Sequence, residues 1–180
     1  MRGQTTLDFA TGVSVFLLTV LFVFIFVPGI LTPFTQTAQE ETVTANRVAD
    51  LVTKDIVADP AEPYLLDGPC TAALLNGTYS AGSDCGFDGS TLEARLDLDQ
   101  FQSVNITLRG SPSHGGNELM CWDATNAAVV NQTASRPCTA SDVFLLQAGE
   151  DVPDNRGSVV TARRVASLEG TVVSVEVRVW

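Results

Sequence analysis

MRGQTTLDFATGVSVFLLTVLFVFIFVPGILTPF, residues 1–34, decides how the rest of the chain is read. It opens with one positive charge at Arg2, passes a lone carboxylate at Asp8, and carries no charged residue from Phe9 to Leu31. At about 1.5 Å per residue that run makes roughly 35 Å of helix, enough to cross a hydrocarbon core of about 30 Å. A bilayer is its expected solvent. Asp8 stands at the edge of the apolar run, where the positive end of a helix macrodipole favours an anion. Deeper in lipid a carboxylate would cost about 2.5–3.5 kcal/mol unless it found a partner.

The residues just before the apolar run carry a resemblance. Arg2-Gly3 followed by Gln4-Thr5-Thr6-Leu7-Asp8-Phe9 resembles the class III signal sequence of archaeal type IV pilins, archaellins and related pilin-like proteins. The resemblance implies that a prepilin peptidase cuts between Gly3 and Gln4. It also implies that Thr6, Asp8 and Phe9 stand where the family has a hydroxyl, an acidic and an aromatic residue. The family more often has Ser and Glu at the first two of these places, so this chain keeps the chemistry with altered side-chain lengths. Cleavage would expose an amino group at Gln4, and a carboxylate on the next turn of a neighbouring subunit's helix could neutralise it. Such a pair is a better device for fixing register than for adding stability. Cyclisation of an N-terminal glutamine would remove the positive partner.

Outward from the helix, length allows one membrane span and one exterior domain with its own core. Asp and Glu number 21 against 10 Lys and Arg, for a net charge of -11, and Lys54 is the only lysine. An acidic chain so poor in lysine resembles proteins of salt-loving archaea, whose self-repulsion is screened at high ionic strength. No basic patch appears beyond the pair Arg163-Arg164, which argues against nucleic acid as a partner. Arg2 precedes the span, whereas Glu40 and Glu41 follow it without a nearby cation, so the positive-inside rule places the N-terminus in the cytoplasm and the domain outside. Cys70, Cys85, Cys121 and Cys138 all fall in the exterior part, as suits an oxidising compartment. A removable secretory signal is the competing reading of residues 1–38. Against it, the apolar run exceeds a typical h-region and bulky Gln36 stands badly for cleavage.

Along the span, Gly12 and Ser14 are small enough to let helices approach. Pro28-Gly29 and Pro33 are expected to interrupt the helix near its outer end. Residues 35–58 read as an amphipathic helix with Val43, Val48, Leu51, Val52 and Ile56 on one face, stopped by Asp59-Pro60 and Pro63. Residues 64–90 are rich in turn formers. Four cysteines permit three connectivities; Cys70–Cys85 with Cys121–Cys138 is favoured because each pair flanks one local loop or hairpin.

Strand patterns follow. Leu92, Ala94, Leu96 and Leu98 alternate with charged residues, and Val104, Ile106 and Leu108 with Asn105, Thr107 and Arg109. Residues 118–122 and 127–130 read as a hairpin around 123–126. Residues 143–147, 159–168 and 172–179 complete an antiparallel sheet with one polar face, Glu169-Gly170 making a tight turn. In the last strand Val173, Val175, Val177 and Val179 face one way, and Ser174, Glu176 and Arg178 the other.

Asn76, Asn105 and Asn131 each open an N-glycosylation sequon; Asn76 and Asn131 fall in expected loops and Asn105 in a strand. Catalytic chemistry has no visible carrier. The single histidine, His114, lies in a turn-forming loop, and no zinc spacing, phosphate loop or nucleophile elbow occurs. Glu150, Asp151 and Asp154 could approach a calcium ion but lack the EF-hand order, and an ordinary acidic surface loop is the simpler reading. Trp122 and Trp180 read as packing residues.

The expectation is an α+β chain: a leader over 1–3, a transmembrane and assembly helix over 4–34, an amphipathic helix over 35–60, and a β-rich exterior domain with two disulfides over 61–180. By resemblance it is a non-enzymatic, cofactor-free, metal-free subunit of a pilus-like surface filament. Its expected partners are the prepilin peptidase, the pilus assembly machinery, other pilin subunits and membrane lipid. The alternative is a single-span surface binding module that does not polymerise.

Overall fold

A computed structural model describes residues 3–31, 37–81, 85–98, 102–111, 117–131, 138–152 and 159–180. The chain divides into two units, Met1–Thr37 and Ala38–Trp180, each with its own physical logic.

In the first unit a single helix, α1, spans Gly3–Leu31. Its backbone stays helical through Pro28 and Gly29, so the expected interruption does not fall there, and Pro33 lies outside the described residues. One proline removes one hydrogen bond, which a long apolar helix accommodates without ending.

The second unit is built on a hairpin. Strands β7 (Val160–Leu168) and β8 (Thr171–Val179) pair along their whole length, from Val160 opposite Val179 to Leu168 opposite Thr171. Glu169 and Gly170 join them with φ of 48° and 76°, the left-handed pair that matches strand twist in a two-residue turn. On its other edge β8 pairs with β2 (Val104–Gly110), so it lies between two neighbours and is buried on both faces along part of its length. The inner face carries Val173, Val175, Val177 and Val179, all buried, opposite Val104, Ile106 and Leu108.

Beyond β2 the sheet continues through β3 (Glu118–Asp123) to β4 (Ala128–Asn131), the hairpin read from sequence. The segment expected as one strand over 143–147 is two, β5 (Val143–Leu145) on β3 and β6 (Gln147–Gly149) on β2, with Leu146 buried between them. Gly149, at φ 96°, lies against Val104 so closely that a Cβ would strike its carbonyl oxygen. A short strand β1 (Leu65–Leu66) runs parallel to β7, so the sheet is mixed and not purely antiparallel as expected.

Helix α2 (Thr37–Leu51) continues into a π-helical turn, Val52–Ile56, and their apolar side joins the sheet's core. Ala45, Val48, Ala49, Val52 and Ile56 are buried, whereas Val43, expected on that face, is 68% exposed. The wider turn frees carbonyls that other segments use: Tyr64 N–H donates to Thr53 O at 2.7 Å and Gly86 N–H to Ile56 O at 3.3 Å.

Two short helices replace elements expected otherwise. Within the turn-rich 64–90 lies α3 (Gly68–Leu75), capped by Asp67, whose carboxylate accepts from Cys70 N–H at 2.7 Å, with proline in its first turn. The alternating stretch 92–98 forms α4 (Leu92–Arg95), capped by Thr91, followed by a turn in which Leu96 is buried. Arg95 then donates to the Ala73 and Leu74 carbonyls at 2.7 and 3.2 Å, satisfying the orphan end of α3. The buried Trp122 ring packs against Gly68, leaving no space for a side chain there. Trp180 is buried as well.

Candidate functional site

Two regions carry chemistry. The first is α1. Over Leu7–Phe26 its mean hydropathy is 2.5 and none of that stretch is buried within the molecule, so this is one helix long and apolar enough to cross a membrane. Its hydroxyls among the described residues make no demand on the surroundings. Thr11 donates to Leu7 O at 2.6 Å, Ser14 to Ala10 O at 2.8 Å and Thr19 to Val15 O at 2.8 Å. Such back-bonding removes the cost of a donor facing hydrocarbon. Gly12 presents open backbone with no atom near its missing Cβ. Asp8 and Phe9 are exposed, and among the described residues the Asp8 carboxylate has no ion-pair partner. Gly3 begins the helix and Gln4 lies one turn before Asp8. The side chains of Gln4 and Thr6 are outside the described set.

The second region is the outer face of the β7–β8–β2 sheet. Because residues opposite one another share a face, register alone builds a grid of three rows: Thr161, Arg178 and Asn105; Arg163, Glu176 and Thr107; Val165, Ser174 and Arg109. Glu176 is the centre. Its carboxylate is 2% exposed and contacts Arg163 Nη2 at 2.7 Å, Arg178 Nη2 at 2.6 Å and, more distantly, Arg109 Nε at 3.7 Å. Burying a carboxylate demands such pairing. Three cations about one anion leave a local excess of two positive charges in a chain of net -11. Ser174 Oγ, in the same grid, is buried without a hydrogen-bond partner.

This face corrects the reading of a simple polar surface. Asn105 and Thr107 are buried; Asn105 Nδ2 donates to Glu150 O at 3.0 Å and its Oδ1 accepts from Thr107 at 3.0 Å. The Asn105 sequon is therefore not an exposed acceptor. Asn131 closes β4 instead of lying in a loop, and its Nδ2 donates to Glu118 at 2.7 Å. Asn76 ends α3, where its Oδ1 accepts from the Thr78 amide at 3.0 Å and hydroxyl at 2.6 Å.

A polar clamp joins α2 to the inner face of β7. Arg164 donates to Asp50 Oδ1 at 2.8 Å and to Asn46 Oδ1 at 3.0 Å, and Lys54 stands 3.3 Å from Asp50. The Arg164 hydrogen bond holds the Asp50 carboxyl below its ordinary value, partial burial working against it. Lys54 is raised by its contact with the Tyr64 hydroxyl and then by Asp50.

Both favoured disulfides are present, Cys70–Cys85 and Cys121–Cys138, with Cα atoms 5.5 and 5.8 Å apart. His114 and Asp154 lie outside the described residues, whereas Glu150 and Asp151 are exposed. Among the described residues no group of three or more His, Cys, Asp or Glu is placed to hold a metal. Sequence reasoning missed the arginine grid because its members come from three strands; the alternation in each was visible, the register was not.

Over residues 1–180 the chain matches the profile of a family of unknown function (DUF7287), and it belongs to that family. No curated protein and no solved structure matches it.

Proposed function

We propose that this member of a family without an assigned activity is a pilin-like structural subunit: inserted as a single-span precursor, trimmed between Gly3 and Gln4 by a prepilin peptidase, and packed into a surface filament through α1 with its sheet domain outermost. The observation that carries the reading is α1 itself. Its apolar side chains are exposed over Leu7–Phe26, its hydroxyls at Thr11, Ser14 and Thr19 are satisfied internally, and among the described residues the Asp8 carboxylate, a single turn beyond Gln4, has no ion-pair partner. A permanent lipid anchor needs no such carboxylate, whereas a helix that exchanges lipid for neighbouring helices can use it to set axial register. Continuation of the span into the amphipathic α2 belongs to the same proposal, as do an extracellular domain in brine and a glycan at Asn76.

The test is the N-terminus of the protein isolated from its native membrane, read by mass spectrometry with cyclised glutamine allowed for. A start at Gln4 is expected, together with loss of filament incorporation in Asp8→Ala. Retention of Met1-Arg2-Gly3 would overturn the reading and leave a fixed surface module.

A further inference from the structure

The outer sheet face combines three features that isolated surface residues do not. Arg109, Arg163 and Arg178 surround one buried carboxylate, and with side chains 34, 60 and 25% exposed they still direct unused N–H groups outward. Beside them lie Val165 and Val172, 65 and 67% exposed on adjacent strands of the same face, and Leu65, 46% exposed, opposite Ser167 in β1. Leading into β1, the segment 55–62 exposes Asp55, Asp59 and Glu62. The outer face thus joins partly exposed arginines to exposed aliphatic residues, and the segment that leads into its β1 edge is acidic.

We propose that this face is a subunit interface that takes the acidic β1 approach, residues 55–62, of a second copy of the same chain. Arginine beside exposed aliphatic residues is the composition of protein contacts, while a small oxyanion would have no use for Val165, Val172 and Leu65. Charge complementarity selects the copy: a chain of net -11 offers carboxylates to any positive surface, and its own acidic approach leads into the β1 edge, where Leu65 is exposed. Glu176 is a positioning residue. It holds Arg163 and Arg178 by separate oxygens, 2.7 and 2.6 Å away, so their remaining donors face out already ordered. Bidentate contact at this distance is screened by salt far less than long-range attraction. The contact uses no residue of α1 and stands apart from the filament reading.

A photo-crosslinking amino acid at Val165 in the full-length protein, irradiated in its native membrane, tests it. A crosslinked homodimer is expected, with the attachment mapped by mass spectrometry to residues 55–67. Replacing the exposed Asp55 and Glu62 together, Asp55→Lys with Glu62→Lys, should lower its yield about tenfold, and Asp55→Asn with Glu62→Gln about threefold, with unchanged melting temperatures confirming that each variant is folded. The crosslink should persist in Asp8→Ala, where assembly through α1 is removed; a wild-type protein that retains Met1-Arg2-Gly3 yet gives the crosslink would retire the filament reading and keep this one. No homodimer, a homodimer mapped to the same arginine face, a yield indifferent to the lysine replacements at Asp55 and Glu62, or attachment only to another protein would each overturn the interface.

Discussion

The helix α1 and the sheet domain solve the same problem in opposite ways. In the domain, apolar side chains meet one another: Val175, Val177, Leu108 and Trp122 are closed off from solvent, and buried polar atoms such as the Asp123 carboxylate are held by backbone donors at Thr125 and Asn126. In α1 the hydroxyls of Thr11, Ser14 and Thr19 are satisfied within the helix while Phe16, Phe22, Phe24 and Ile25 stay more than half exposed. The domain brings its own interior; the helix brings only a surface and must be given an interior by lipid or by other helices. The domain can thus fold without depending on what α1 is packed against.

This contrast can be broken or sharpened by substitution. The largest effect belongs to the core: Trp122→Ala should lower domain stability by about 3–5 kcal/mol, read by denaturant unfolding, because the ring fills the space over Gly68. Replacing both members of the Cys70–Cys85 bridge by serine should cost about 3 kcal/mol, since its sequence separation of 15 sets the loop entropy returned to the unfolded chain. Asp50→Asn should cost roughly 0.2–1 kcal/mol, as expected for partly exposed pairs. Its signature is in the pH profile. A carboxyl whose folded value is depressed contributes stability above its ordinary value of 3.8 and loses it as pH falls through the folded value, so Asp50→Asn should flatten the acid limb of the melting curve. Lys54 has the opposite sign: its contribution is present below 10.5 and is lost as pH rises through the raised folded value. The smallest effect sharpens the contrast most. Asp8→Ala should leave domain melting within about 0.5 kcal/mol of the parent while abolishing filament incorporation.

Much of this was legible in the residues. The alternation of Val173, Val175, Val177 and Val179 with polar residues defines β8, and the local spacing of cysteines matches both bridges. What escaped is instructive. Gly-Pro-Cys-Thr-Ala-Ala-Leu-Leu has no amphipathic period because α3 is buried nearly all round, although Asp67 and Pro69 announced its start. Leu92, Ala94 and Leu96 alternate like a strand, yet the Thr91 cap and the reach of Arg95 to α3 favour a helical turn. Glu176 was read on the face opposite the valines, as found; its burial there was not legible, because it depends on Arg163 and Arg109 from other strands.

The place of β8 also bears on how the chain takes shape as it emerges. Its neighbours β2 and β7 both precede it in the sequence, yet neither pairs with the other except through it. On a chain that emerges N-terminus first, two long strands wait with open edges until the strand between them arrives, so the sheet closes in a single late event. Until that moment the emerging segment is most exposed to mispairing and proteolysis. A lesion in residues 171–179 would therefore act less like trimming a margin than like removing a keystone.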